Sequence, residues 1–149
     1  MKKALIVGVT IVAFVFATAA IAAATPTASS ATVATASTGL GRIIVDGRGR
    51  SLYLFQKDRH GRSACSGVCV HYWPPLLTNG RSVAIKGAKS SQLGSIRRAD
   101  GSRQVTYAGH PLYFFSGDTR AGQINGEGLH DFGAGWYALT PSGKTIDRD

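Results

Sequence analysis

The sequence predicts an all-β fold: a small antiparallel β domain made of two duplicated halves, after an N-terminal signal helix and a disordered linker. Dipeptides that favour tight turns punctuate the chain at five places: Asp46-Gly47, Asn79-Gly80, Asp100-Gly101, Asn125-Gly126 and Ser142-Gly143. No stretch after residue 40 shows the long apolar period of about 3.6 residues that a helical domain requires. A ten-residue segment also recurs sixty residues later, which indicates an internal duplication.

Length and composition limit the class of protein. The 149 residues suit one modest domain plus a targeting segment, and 17 Lys and Arg against 8 Asp and Glu give a net charge of +9. Two cysteines and a single methionine exclude a dense disulfide scaffold and a Met-rich metal site. We therefore expect a basic, Gly-punctuated globular domain.

The first 24 residues are typical of an export signal. Lys2 and Lys3 precede the uncharged stretch Ala4–Ala24, whose small residues suit cleavage after Ala22 or Ala24. An uncleaved membrane anchor is the alternative, because this stretch approaches the roughly 20 residues that span a bilayer. We expect a secreted or extracytoplasmic protein, at the cell surface or in the periplasm.

Residues 25–39 contain only Ala, Thr, Ser, Val, Pro and Gly. This composition offers too little apolar bulk to offset the entropy of ordering the backbone, so we interpret it as a disordered linker. The duplicated domain then occupies residues 40–149. Its strand candidates are Arg42–Val45, Ser51–Phe55, Val83–Ile85, Arg103–Tyr107, Pro111–Phe115 and Trp136–Thr140.

The repeated segment carries a Tyr-x-aromatic-x-x-Asp motif, and its two copies agree at five of ten positions. The motif residues are Tyr53, Phe55 and Asp58 in the first copy and Tyr113, Phe115 and Asp118 in the second. Side chains alternate between the faces of a strand, and both faces of each copy are apolar. We expect the rings to pack in the core; the alternative is an exposed platform that stacks a sugar or another ligand.

These motifs together resemble the bacterial family called "secreted repeat of unknown function". Besides the Tyr-to-Asp motif, the likeness rests on Cys-x-x-x-Cys followed by Trp73-Pro74-Pro75-Leu76, and on the run Asp100–Tyr113. It covers residues 41–141 and implies an extracytoplasmic domain without an assigned activity. Members are often labelled predicted lipoproteins, but this chain lacks the acylated cysteine, because Cys65 lies far from the predicted cleavage region.

Cys65 and Cys69 are the only thiols of the chain, and in an exported protein we expect them to form a disulfide. Four extended residues span about 13 Å, too far for this bond, so the segment around Gly67 must turn. The alternative is a metal-handling or electron-transfer site in which Cys65 and Cys69, with His60 and His71, bind copper or zinc.

The remaining histidines, His110 and His130, are expected to be solvated. A four-histidine site or a pair of haem ligands, formed by facing halves, is the alternative. We expect no cofactor.

Asp58 and Asp118 follow the aromatic strand in both copies. We expect each carboxylate to accept backbone N–H groups in a turn or to pair with a following arginine. The alternative is a pair of acids for cation binding or glycan hydrolysis, since glycosidases place two carboxyl groups about 5 to 9 Å apart. The motifs of the common exported hydrolases are absent from the sequence, so we do not expect an enzyme.

Basic residues concentrate in three clusters: Arg42, Arg48 and Arg50; Lys57, Arg59 and Arg62; Arg97, Arg98 and Arg103. For an exported protein the expected anionic partners are cell-wall polymers or a membrane surface rather than nucleic acid. The alternative is that these side chains only solvate the surface. The sequence thus favours a non-catalytic binding or structural module of unknown ligand, with metal handling or electron transfer as the alternative function.

Overall fold

The computed structural model describes residues 29–59 and 61–146 of the chain. Within these ranges nine strands account for most of the regular structure, and the prediction of an all-β fold is confirmed. The strands are β1 Thr32–Thr38, β2 Gly41–Asp46, β3 Tyr53–Phe55, β4 Val83–Ala84, β5 Leu93–Arg97, β6 Arg103–Tyr107, β7 His110–Pro111, β8 His130–Asp131 and β9 Ala134–Ala138. One helical turn, α1, spans Cys69–Tyr72, and one 3-10 turn spans Ser90–Gln92. The predicted signal, residues 1–24, lies outside the described residues.

The strands form three small sheets, with the orders β2-β1-β4, β3-β9-β8 and β5-β6-β7. Neighbouring strands are antiparallel except β1 and β4, which run parallel. The predicted turn at Asp100-Gly101 connects β5 to β6, and Gly101 has the positive φ of 84° that a tight hairpin requires. Three strands that the sequence did not predict, β1, β5 and β8, pair with the predicted strands β2, β6 and β9.

The boundary predicted for the linker is wrong. Strand β1 lies inside residues 25–39 and pairs with β2 over six residues, from Val33 opposite Asp46 to Thr38 opposite Gly41. Val33 and Ala34 are buried. The composition looked too poor in apolar bulk, but β-branched Thr and Val suit a strand, and β2 satisfies the hydrogen bonds of this backbone. The folded domain thus begins at or before Thr32, and not at residue 40.

The two halves follow the same path. Each begins with a hairpin, β1–β2 or β5–β6, continues through the aromatic segment of the repeat, and ends in a segment that contains a tryptophan; this last segment is residues 73–77 in the first half and β9 in the second. Rings and aliphatic side chains of the aromatic segments face opposite sides, as the alternation predicts. Tyr53 and Phe55 lie in one core cluster, and Leu52 and Leu54 lie in the other.

The last segment of each half forms backbone hydrogen bonds with the other half. In the first half, Leu76 donates its backbone N–H to Leu112 and accepts the N–H of Val105, both at 2.9 Å. In the second half, β9 pairs with β3, and the carbonyl of Leu139 accepts the N–H of Ile44 at 2.8 Å. The halves are therefore interlocked through these exchanged segments.

Candidate functional site

The centre of the molecule is the point where the two copies of the motif meet. The backbone N–H of Tyr53 donates to the carbonyl of Tyr113 at 2.9 Å, and the N–H of Tyr113 donates to the carbonyl of Tyr53 at 3.0 Å. This reciprocal pair places a local two-fold axis between the two tyrosines. Both are fully buried, so the rings serve the core and are not an exposed platform.

The acidic residues of the motif bind the tyrosine of the opposite copy. The Tyr53 hydroxyl donates to Asp118 Oδ2 at 2.5 Å, and the Tyr113 hydroxyl donates to Asp58 Oδ2 at 2.8 Å. Each of these two hydrogen bonds therefore joins the tyrosine of one copy to the aspartate of the other copy. The spacing of the motif therefore serves the contact between the halves.

The second oxygen of each carboxylate closes the loop that follows it. Asp58 Oδ1 accepts the N–H of Ala64 at 2.7 Å, and Asp118 Oδ1 accepts the N–H of Asn125 at 2.8 Å. This is the turn role that the sequence predicts for both acids. With both oxygens engaged, each carboxylate connects its own loop to the core of the other half.

Burial governs the titration of these pairs. Loss of solvation, with the Asp118 carboxylate beside it, raises the pKa of Tyr53 well above its ordinary value, and burial next to Asp58 does the same for the pKa of Tyr113. Burial also raises the pKa of Asp58, partly offset by the N–H of Ala64 and the Tyr113 hydroxyl. Both tyrosines are thus neutral donors at physiological pH.

A stack of four rings crosses the same axis. Trp73 and Trp136 stack face to face, with centroids 4.0 Å apart and planes 5° apart. Phe55 stacks on the outer face of Trp136 at 4.0 Å, and Phe115 lies against Trp73 at 4.5 Å. The two tryptophans are equivalent residues of the two halves, so this stack joins the exchanged segments.

The structure contains the predicted disulfide between Cys65 and Cys69, with Cα atoms 5.3 Å apart. The segment turns as the spacing requires, because Gly67 has a φ of 58° and α1 begins at Cys69. Arg98 forms hydrogen bonds to this loop from a buried position. Its side chain is only 6% exposed and donates to the Cys65 carbonyl at 2.6 Å and to Ser63 Oγ at 2.9 Å.

The residues of the metal alternative are not assembled around an open site. The sulfurs of Cys65 and Cys69 are bonded to each other, His71 is exposed on α1, and His60 lies outside the described residues. His110 is partly buried on β7, which lowers its pKa, and His130 is exposed on β8. Among residues 29–59 and 61–146, no group of three or more His, Cys, Asp or Glu side chains could hold a metal ion.

The predicted basic clusters do not form uniform patches. Arg98 points into the interior, and Arg50 binds the buried Asp46 at 2.8 Å while its guanidinium lies over the Phe114 ring at 4.0 Å. Arg103 belongs to the same predicted cluster as Arg98, but it lines a surface groove. Clusters read from sequence proximity therefore mix structural and surface arginines.

This groove is a candidate site that sequence reasoning missed. It has a volume of about 760 Å³ and lies between β4 and β5. Its lining is Gly80, Arg81, Ser82, Val83, Ala84, Ser90, Ser91, Leu93, Gly94, Ser95 and Arg103. No acidic side chain contributes to it, and within the described part of the chain neither of its arginines takes part in an ion pair.

Unpaired strand edges form the walls of the groove. Along an antiparallel ladder, residue pairs that exchange backbone hydrogen bonds alternate with pairs that do not. Ala108 donates to the Gln92 carbonyl and Arg98 donates to the Ser102 carbonyl, so Gly94 and Ile96 are the residues of β5 that bond to β6. Ser95 therefore points its N–H and C=O away from β6, and neither group has a partner among the described residues. The only sequence signal for this groove was that two predicted strands, Val83–Ile85 and Arg103–Tyr107, flank a serine-rich connector. That signal does not reveal which strand edge stays open.

The described residues contain no helix long and apolar enough to cross a membrane. A search of the curated proteins and a search of the solved structures found no match to the chain. The chain does match the family described as "Secreted repeat of unknown function", over residues 34–77 and 94–140. The two matched segments are the two halves of the fold, each with one Tyr-to-Asp motif and one tryptophan. The chain therefore belongs to this family of secreted repeats and carries two copies of its repeat.

Proposed function

We propose that this protein is a non-catalytic binding module outside the cytoplasm, and that it binds an extended, negatively charged chain in the groove between β4 and β5. The observation that carries the proposal is the lining of the groove: two arginines without ion-pair partners in the described residues, four serines and no acidic side chain. Serine hydroxyls and guanidinium groups donate hydrogen bonds to carboxylate or phosphate oxygens.

The rest of the molecule supports a binding role over a catalytic one. The two acids that glycan hydrolysis would use, Asp58 and Asp118, are both occupied by a tyrosine hydroxyl and a backbone N–H. Catalytic acids need access to the substrate. The groove lies elsewhere, and its lining contains no histidine, cysteine or acid.

Charge supports an anionic partner. The chain carries a net charge of +9, which attracts anionic polymers over distances up to about a Debye length and raises their rate of association. Besides this general attraction, Arg81 and Arg103 both line the groove, so one bound ligand can contact both guanidinium groups.

The test compares two double variants with the same loss of charge. Arg81→Ala with Arg103→Ala removes the groove arginines, and Arg48→Ala with Arg120→Ala removes two exposed arginines elsewhere. Binding of poly-L-glutamate and of a poly(glycerol phosphate) wall polymer is measured by titration calorimetry at several salt concentrations. We expect the groove variant to bind at least one polymer about tenfold more weakly, equivalent to about 1.4 kcal/mol, and the control to change affinity less than about twofold.

Equal losses in both double variants would mean that diffuse surface charge binds the polymer, and the proposal would fail. It would also fail if neither polymer binds. Vesicles of anionic lipid form a third arm of the experiment, because a membrane surface is the competing partner for a basic exported protein. Binding to vesicles alone, with no contribution from the groove arginines, would favour that partner and overturn the groove.

A further inference from the structure

The two halves differ in how their outer strand edges are covered. In the first half, the outer edge of β1 is covered by β4, which lies in the connector between the two matched repeats. Val83 donates its N–H to the Ala31 carbonyl, and Ile85 donates to the Val33 carbonyl, both at 2.9 Å. The chain therefore supplies its own covering strand to one of its two copies.

The second half lacks this cover. Sixty residues after Val33 is Leu93, at the same place in the hairpin, and its carbonyl accepts no N–H from the described residues. Ser95 directs its N–H and C=O to the same edge, and neither has a partner among residues 29–59 and 61–146. The segment that follows the second repeat turns away from this edge, because Thr145 pairs with Leu139. The structure thus repeats the hairpin without repeating its covering strand.

We propose that an extended acidic peptide segment of a partner protein adds to the open edge of β5, in the parallel arrangement that β4 adopts on β1. This inference rests on the proposed function and names the ligand of the same groove. Strand addition obtains its affinity from main-chain hydrogen bonds and its specificity from side-chain pockets. Here the hydrogen bonds come from Leu93 and Ser95, and the groove lies directly along their edge.

The edge is suited to this partner and not protected against it. Proteins usually protect an open edge with proline, inward-pointing charges, a bulge or a covering element. Strand β5 contains no proline, its one charged residue is Arg97 at its end, and Gly94 and Ser95 are exposed. Arg81 on the opposite wall and Arg103 beside the strand favour acidic side chains on the peptide.

The covering strand β4 provides the design of the probe. Residues 81–86 read Arg-Ser-Val-Ala-Ile-Lys, so the probe is the synthetic peptide Glu-Ser-Val-Ala-Ile-Glu, in which the two basic ends are made acidic. Its binding to the full chain is followed by nuclear magnetic resonance. We expect saturable shifts at Leu93 and Ser95, and slower amide exchange at Ser95 when the peptide is bound.

Ser95→Pro removes the outward N–H without removing a bond to β6, and Ser95→Ala is the matched control that keeps this N–H. An edge strand tolerates proline where its N–H faces solvent. We expect Ser95→Pro to bind the peptide at least about tenfold more weakly than Ser95→Ala does, equivalent to about 1.4 kcal/mol, because both variants lack the hydroxyl and only Ser95→Pro lacks the outward N–H. The same peptide with N-methyl groups on its Val, Ala and Ile amides should bind the unchanged protein equally poorly, which keeps the test valid if Ser95→Pro does not fold.

The outcomes separate this inference from the proposed function. If polymer binding needs Arg81 and Arg103 while Ser95→Pro and N-methylation leave peptide binding unchanged, the anion groove remains and strand addition is wrong. If the peptide fails to bind while the polymers bind, strand addition is again wrong. A dimer of this chain that pairs β5 with β5, excludes the peptide and is lost in Ser95→Pro would also overturn it, because the edge would then serve a second copy.

Discussion

At the scale of single residues, the Tyr-to-Asp motif connects two halves that a reader of the sequence would treat as independent. A tyrosine and an aspartate five positions apart suggest a local pair, yet Tyr53 binds Asp118 and Tyr113 binds Asp58. A hydrogen bond to a buried carboxylate contributes more than one between neutral groups, about 1.5 to 3 kcal/mol. The motif thus specifies the interface between the repeats.

Double-mutant cycles test this crossed pairing. Tyr53→Phe and Asp118→Asn should each lower the free energy of unfolding by about 1 to 3 kcal/mol, and should couple by more than about 0.5 kcal/mol because they act on the same charge-assisted bond. Tyr53→Phe and Asp58→Asn should be nearly additive. Urea denaturation of the single and double variants measures both cycles. Strong coupling of Tyr53 with Asp58 would contradict the crossed arrangement.

The pH dependence of stability tests the burial of Asp58. Its pKa is raised above the ordinary value of 3.8 mainly by desolvation, so the folded protein holds this proton more tightly than the unfolded chain does. The resulting stability is fully present below that ordinary value and is lost as pH rises through the raised folded pKa. We expect Asp58→Asn to abolish this decrease in the urea midpoint.

Asp100 serves as the contrasting acid for the same titration. Bonds from Ser102 lower its pKa, so its contribution is present above the ordinary value and is lost as pH falls. Asp100→Asn should therefore leave the decrease caused by Asp58 in place. A decrease that persists unchanged in Asp58→Asn would show that another group causes it.

At the scale of elements, the loop that carries the disulfide depends on Arg98 as much as on the covalent bond. Chain-entropy arithmetic for a closed loop of about five residues gives only about 2 kcal/mol for the disulfide. Arg98 donates to Cys65, Ser63 and Gln104 from a buried position, with distances of 2.6 to 2.9 Å. Charged hydrogen bonds of this kind are costly to lose when the acceptors stay buried.

We therefore expect Arg98→Met to lower the free energy of unfolding by about 3 kcal/mol, more than reduction of the disulfide does. Arg97→Met is the control, because Arg97 is exposed and should change stability by less than about 0.5 kcal/mol. Chemical denaturation of both variants, with and without a reducing agent, compares these effects. A larger loss from reduction than from Arg98→Met would contradict this ranking.

The elements also mark the limit of prediction from this sequence. Local signals were sufficient for the turn at Asp100-Gly101 and for the buried aromatic segments, because φ preferences and side-chain alternation act over a few residues. They were insufficient for β1, whose small residues become a strand only through six pairs with β2. They also could not reveal the groove, because its two walls meet only after the whole chain has folded.

At the scale of the whole molecule, the last segment of each half bonds to the other half, and these contacts join the two repeats into one cooperative unit. Repeats that contact only their neighbours can unfold separately, but here Leu76 of the first half bonds to the backbone of the second, and Leu139 of the second accepts a bond from the backbone of the first. Neither half can complete its sheet alone. We therefore expect a single calorimetric unfolding transition whose van't Hoff and calorimetric enthalpies agree.

Two substitutions test which half is stabilised by the last segment of each half. Leu76→Ala and Leu139→Ala should each lower the free energy of unfolding by about 2 to 5 kcal/mol, since both leucines are buried. Amide exchange should accelerate first at Val105 in Leu76→Ala and at Ile44 in Leu139→Ala, because those N–H groups donate to the carbonyls of the substituted residues. Each substitution would thus loosen the half to which it does not belong. Two separate transitions, or faster exchange confined to the half that carries the substitution, would mean that the repeats are independent domains joined only by the connector.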